Sequence, residues 1–238
     1  MTYAPIALFT YNRPWHTRRT VEALRKNEQA AHSTLYIFSD GPKTAADAAK
    51  VWEVRNYIRT IEGFKSVAII ERERNLGLAE SIIGGVTEVL TAYGRIIVLE
   101  DDMVSSPYFL SYMNAALWKY KAVDKVMHIS GYVLPIDPAG LKETFFYRAS
   151  SCWGWGTWAR AWKHFEYDIN KLIPRFDADA KRSFNIDGRY NFWDQMESQR
   201  DRKIDSWAIR WYASVFLNHG LCLHPSKSMI NNIGLDGS

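Results

Sequence analysis

The sequence predicts an α/β protein: a mainly parallel sheet flanked by helices, with a smaller and less regular lobe on the side of the second half. Three observations predict it. Short, continuously apolar runs alternate with helix-period segments through the first half. The runs lack the polar alternation of a strand with one wet face, as expected for parallel strands covered on both sides. Each run ends in a polar turn cluster, which is the punctuation of βαβ units.

The elements follow in order. Pro5 to Thr10 (PIALFT) reads as a buried strand, and Pro14 to Gln29 as a helix with Pro near its start and Val21 and Leu24 on one face. Thr34 to Phe38 is a second strand, closed by the turn Ser39-Asp40-Gly41-Pro42. Val51, Val54, Ile58 and Ile61 recur at helical spacing, so the next segment is amphipathic. Ser66 to Ile70 is a third strand, Leu78 to Leu90 a third helix, and Arg95 to Leu99 (RIIVL) a fourth strand that ends on Glu100-Asp101-Asp102. Beyond it, Pro107 to Tyr120 reads as a helix, Val126 to Ser130 as a strand, Asp205 to Leu217 as a helix and Leu221 to His224 as a last strand. Ser150 to Trp162, crowded with Trp and Gly, has no clean period. With no repeat or linker, residues 1–238 read as one domain: a ligand-binding half over 1–125 and a second half over 126–238.

The chain is long enough for a sizeable core, and its 47% hydrophobic and 24% charged residues are those of a globular protein. Thirty basic and 26 acidic residues are interspersed, for a net charge of +4, which argues against a dedicated nucleic-acid binder and leaves room for peripheral contact with anionic lipid. No apolar run approaches the ~20 residues that span a bilayer. The first strand begins almost at once, so no signal peptide is expected. Cys152 and Cys222 form no CxxC pair or disulfide framework, which suits a reducing cytoplasm. The chain ends on Gly-Leu-Asp-Gly-Ser without a closing element, so a further C-terminal piece is expected. Ten Trp in a chain this size are explained in large part by an aromatic core, with some available to stack on sugar faces.

Ligands of open parallel sheets sit at the carboxyl ends of the strands. The residues there are Thr10-Tyr11-Asn12-Arg13, Ser39-Asp40-Gly41, Arg72 to Gly77 and Glu100-Asp101-Asp102. No Gly-x-Gly-x-x-Gly or Gly-Lys-Ser/Thr loop follows any strand, which excludes the common dinucleotide and P-loop sites. Three acids after an apolar strand repel one another unless a cation neutralises them. A hard divalent ion prefers such oxygens and bridges to diphosphate. Helix capping or simple hydration is the structural alternative.

The run IIVLEDD (Ile96 to Asp102), followed by Pro107-Tyr108-Phe109, resembles the DxD segment of GT-A glycosyltransferases. It is similar to the Glu-Asp-Asp form in N-acetylglucosaminyltransferase I and in bacterial family-two transferases of surface-polysaccharide clusters. Thr10 to Pro14 resembles the first nucleotide-binding loop of that group, and Arg74-Asn75-Leu76-Gly77 its Arg-Asn-x-Gly turn. The resemblance covers the first half continuously and the second in patches. It implies a GT-A (Rossmann-like) fold with a nucleotide-sugar-binding half and an acceptor-side half. It also implies a metal-dependent hexosyl- or N-acetylhexosaminyltransferase, inverting, at work in lipopolysaccharide or capsule synthesis at the inner face of the membrane. The donor would be a nucleoside-diphosphate sugar, and the acceptor a glycan or lipid-linked glycan.

Carried onto this chain, the resemblance gives Thr10, Tyr11, Asn12, Arg13 and Asp40 to the donor nucleotide, and Arg74 to its base or phosphates. It gives Glu100 to the donor as well, Asp101 to the ribose or sugar, and Asp102 to Mn²⁺ or Mg²⁺. Asp40 reads equally as an Asp-Gly-Pro turn, and Arg74 as a surface charge. Trp153, Gly154 and Trp155 resemble the Gly-aromatic loop that faces sugar and acceptor, with a packed hinge as the alternative. His224 is a candidate second metal ligand or a structural His. For the base that deprotonates the acceptor, Asp205 ahead of Trp207 fits the family placement and fits equally an ordinary N-cap. Asp194 is the rival. Two other readings remain: a sugar-phosphate nucleotidyltransferase, against which the absent Gly-rich loop counts, and a non-catalytic carbohydrate-binding module, which has no use for the acidic triplet.

Overall fold

A computed structural model describes residues 2–237. In its first half β1 (Ile6–Thr10), α1 (Pro14–Arg25), β2 (Thr34–Ser39), α2 (Ala48–Ile58), β3 (Ser66–Glu71), α3 (Leu78–Tyr93) and β4 (Arg95–Glu100) alternate as expected. The central strands are apolar and covered on both sides: every residue of β1 is buried, as are Ile96 to Leu99 in β4. Two hydrophobic layers, one per face, hold the sheet; Leu8, Leu35 and Leu99 belong to one, and Phe9, Phe38 and Val98 to the other.

The second half adds β5 (Met103–Ser105), α4 (Phe109–Lys119), β6 (Val126–Ser130), β7 (Thr144–Tyr147), β8 (Trp155–Trp158), α5 (Ala159–Trp162), α6 (Ile169–Leu172), α7 (Ala178–Phe184), α8 (Trp193–Arg200), α9 (Trp207–Leu217), β9 (Leu221–Pro225) and β10 (Ile230–Asn232). The main sheet has the order β3-β2-β1-β4-β8-β6-β9-β7. Pairs among β3, β2, β1 and β4 are parallel, as is β6 with β9, whereas β8 runs against both of its neighbours and β7 against β9. The fold is therefore a mixed α/β sheet flanked by helices, whose wholly parallel half carries the strand ends expected to meet a ligand. α6 to α9 pack a separate aromatic cluster around Phe176, Phe184 and Tyr212, the smaller lobe. Among the described residues no helix is long and apolar enough to cross a membrane.

Two differences from the sequence reading have physical causes. α1 ends at Arg25 rather than running to Gln29. Buried Asn27 instead donates to Ser105 Oγ and accepts from the Leu110 backbone, tying the helix end to β5 and α4. The Trp/Gly stretch without period contains β8, a central strand with both faces buried, so apolar residues show no alternation. Gly156 there brings the backbone so near the Ile96 carbonyl that a Cβ would lie 3.0 Å from it.

Candidate functional site

A cleft of about 700 Å³ opens at the carboxyl ends of β1, β2 and β4. Thr10, Tyr11, Asn12, Arg13, Asp40, Glu100, Asp101 and Asp102 all line it, so eight residues expected to gather there are brought together. Asp101 fastens β4 to the loop after β1: its Oδ2 accepts from Tyr11 N at 3.3 Å, and its backbone carbonyl accepts from Thr20 Oγ1 at 2.8 Å. Tyr11 in turn accepts at its hydroxyl from Lys43 N, 3.0 Å away. Asn12 donates to Asp47 at 2.9 Å, which steadies the turn ahead of α2.

Burial, and then repulsion from Asp102 and Asp101, pushes the Glu100 carboxyl up to about 8. Asp101 is pushed up to about 7 by burial and by Asp102. Asp102 is raised by burial in spite of Arg13, whose Nη1 lies 3.1 Å from Asp102 Oδ2. Burial thus disfavours the ionised form of all three carboxyls. Two buried polar atoms of the cleft, Thr10 Oγ1 and Asp102 Oδ1, have no hydrogen-bond partner among the described residues. A buried polar atom left unsatisfied is costly, and these two are the atoms a ligand would satisfy.

Asp40 has a different part from the one expected. Its carboxylate accepts from the backbone N–H groups of Gly41, Leu76 and Gly77 at 3.0–3.1 Å, so it organises the loop ahead of α3 and has little capacity left for a ligand. The expected Arg74 is exposed and off the cleft; from its turn it is Asn75 and Gly77 that line the cavity. The backbone of Arg74 packs where a Cβ on Gly41 would sit, at 2.6 Å, which explains a glycine there.

Trp155 is corrected outright. Its side chain is 0% exposed, stacked between His128 at 5.5 Å and Trp207 at 5.0 Å, so neither indole face can meet a sugar. Gly154, at φ +61°, leaves room for Ile230, whose Cγ1 would lie 2.6 Å from a Cβ. Trp153 is half-buried edge-on to Tyr132, with centroids 4.4 Å apart, and like Gly154 lies off the cleft lining.

His224 is corrected as a metal ligand too. Both ring nitrogens face backbone carbonyls, Nδ1 that of Tyr132 at 3.1 Å and Nε2 that of Ala149 at 2.9 Å, leaving no lone pair directed at an ion. It sits on β9 among sheet residues, and burial pushes its pKa down. The histidine at the cleft is His16, in the first turn of α1, with Nε2 3.0 Å from Asp236. Asn232, Gly234 and Leu235 also line the cleft, together with Lys43, Lys50 and Ser81.

Asp205 is not the N-cap of α9; Ser206 is, accepting from Ile209 N. Asp205 is 61% exposed and accepts from the nearly buried Arg210 at 2.8 Å. Arg210 donates onward to the Tyr167 backbone, and Tyr167 bonds Glu80 through its hydroxyl, in the first turn of α3 beside the cleft. Asp194 is exposed in the first turn of α8, away from these contacts.

The residues from β10 onward strap the acids. Ile233 N donates to the Asp102 carbonyl at 2.9 Å, and a Cβ on Gly234 would lie 1.9 Å from Asp102 Oδ2. Gly234→Ala should therefore lower stability by about 1–3 kcal/mol, the range of an overpacked site. Gly84→Ala, where a Cβ meets nothing on an exposed turn of α3, should raise it by about 0.5–1 kcal/mol. Paired melting curves check both, and equal shifts would mean the strap yields freely.

No protein-family model matches this sequence, and no curated protein matches it. Among solved structures it is similar to a mannosyltransferase, PcManGT from Pyrobaculum calidifontis, solved with GDP-Man and Mn²⁺. The identity is 11% and the TM-score 0.45, over 91% of this chain and 70% of that one. TarS of S. aureus is similar at 10% identity and a TM-score of 0.39, over 59% of this chain and 24% of that one. The chain thus spans about a quarter of TarS. At such identities these likenesses assign no residue.

Proposed function

We propose that the chain is a GT-A-type glycosyltransferase that moves a sugar from a nucleoside-diphosphate sugar to a glycan or lipid-linked glycan acceptor with the help of Mn²⁺ or Mg²⁺. The observation that carries the reading is the cleft at the parallel strand ends, where the acidic triplet meets two partnerless buried atoms, Thr10 Oγ1 and Asp102 Oδ1. Asp102 fits a divalent ion as a single protein ligand: it offers one buried oxygen with no partner among the described residues, and the rest of the shell would be left to diphosphate and water. Such an ion offsets the charge that builds on the departing diphosphate.

The chain's own residues would do the rest. Thr10 would donate its hydroxyl to the donor, with the Tyr11 ring beside it. Lys43 and Lys50, on the cleft wall, would draw in the anionic nucleotide. An inverting transfer needs one base on the acceptor side. Asp205 is favoured over Asp194 by its linkage through Arg210 and Tyr167 to the start of α3. A role in lipopolysaccharide or capsule synthesis, at the inner face of a membrane, rests on the sequence resemblance alone.

Asp205→Asn should cut turnover by about 10²–10⁴-fold while leaving the melting temperature nearly unchanged, because Asn keeps an oxygen for Arg210. Asp194→Asn should change neither. Turnover and melting curves on both variants decide; if Asp194→Asn alone abolishes transfer in a folded protein, the base is Asp194.

A further inference from the structure

Arg13 reaches into the acidic triplet and pairs with Asp102. Its Nη1 is 3.1 Å from Asp102 Oδ2, with side-chain exposures of 30% for Arg13 and 14% for Asp102. Yet its backbone is anchored without the side chain: the Arg13 carbonyl accepts from Thr17 N at 3.0 Å and from Thr17 Oγ1 at 2.8 Å. These bonds hold the start of α1 whichever partner the guanidinium has. The two oxygens of Asp102 are unequal, Oδ2 held by Arg13 and Oδ1 buried with no partner among the described residues, so Oδ1 would be open to an ion while Arg13 still holds Oδ2.

From this asymmetry we infer that Arg13 is an exchangeable counter-ion: it closes on Asp102 in the empty cleft, then releases Asp102 and turns its guanidinium onto the donor's diphosphate. The inference rests on the nucleotide-sugar reading above. Its physical basis is that a guanidinium and a divalent ion on one carboxylate repel each other. A planar fork of N–H donors also has a better partner in phosphate oxygens arriving in the same cleft. Arg13 is thus a positioning residue that makes cation and nucleotide bind together rather than separately, a positive coupling between the two ligands.

Calorimetric titration with Mn²⁺ alone, and with UDP and GDP in the presence of Mn²⁺, tests this on wild type, Arg13→Gln and Arg13→Lys. Arg13→Gln should bind Mn²⁺ alone about tenfold more tightly, because a competing positive charge is gone, and the nucleotide diphosphate about tenfold more weakly. Arg13→Lys keeps the charge but not the fork; it should bind Mn²⁺ as wild type does and lose about threefold for the nucleotide. If Arg13→Gln does not fold, Arg13→Lys decides alone, and a nucleotide affinity equal to wild type overturns the inference. Unchanged or weaker Mn²⁺ binding by folded Arg13→Gln overturns it as well, with the donor reading intact. If wild type itself binds neither Mn²⁺ nor either nucleotide, the donor reading fails and the exchange falls with it.

Discussion

Asp102→Asn is expected to lower turnover by about 10²–10³-fold, the range seen when one group stabilising transition-state charge is removed, and to abolish stimulation by Mn²⁺. The same change should leave the metal-free protein as stable as wild type, or more so. The Asp102 carboxyl is pushed above its ordinary value by burial, so its ionised form weighs against the fold at neutral pH. It also pushes Glu100 and Asp101 upward, and Asn would relieve both neighbours. A residue that costs stability and is needed for turnover is the signature of a functional group. Nucleoside diphosphate release and melting temperature, each with Mn²⁺ and with chelator, give the answer. A variant that melts many degrees lower yet turns over normally once folded would make Asp102 a structural partner of Arg13.

Trp155→Ala should produce the largest loss of stability, about 3–5 kcal/mol by the usual cost of deleting a fully buried aromatic. In a chain of this size that is a fall in melting temperature of roughly 6–20 °C. The indole is 0% exposed and touches Trp162, Trp207 and Trp211 as well as His128. Removing it opens a cavity bounded by β6, α5 and α9. Trp155→Phe should cost much less, since it refills most of the space and removes a buried indole N–H that has no partner. Trp153→Ala, half-buried at one edge, should fall between the Phe variant and the Ala variant of Trp155. Denaturant unfolding of the three variants would settle the order. A Trp155→Ala protein of normal stability with impaired sugar binding would contradict the core assignment.

The parallel half was legible in sequence because strands covered on both faces must be apolar throughout. PIALFT and RIIVL could hardly be read otherwise, and their polar ends mark the cleft. β8 was not legible for the same physical reason turned round. With Trp155 and Thr157 on one face, Trp158 on the other and Gly156 under a neighbouring backbone, it has neither alternation nor an aliphatic run. β5, β7 and β10 are four residues or fewer, too short for any period to declare itself. Histidines illustrate the limit for the site. His224 and His16 look alike as single residues in a chain, and only the carbonyls around His224 and the Asp236 carboxylate beside His16 tell them apart. The same holds for Asp40, whose neighbours along the chain suggest a turn or a ligand equally. The 76–77 amides that fill its carboxylate lie 36 and 37 residues away.

The claim at the centre is that the strand-end cleft takes a nucleoside-diphosphate sugar together with a divalent ion. Incubation of the purified chain with a panel of UDP-, GDP- and dTDP-sugars, with Mn²⁺ or with chelator, and with release of nucleoside diphosphate as the readout, tests it most directly. The account predicts that at least one member of the panel is turned over slowly to its nucleoside diphosphate with Mn²⁺, that chelator stops the release, and that Asp102→Asn does not support it. No release or binding of any nucleotide sugar, alongside metal-dependent consumption of a nucleoside triphosphate with a sugar phosphate, would contradict the account and make the protein a nucleotidyltransferase.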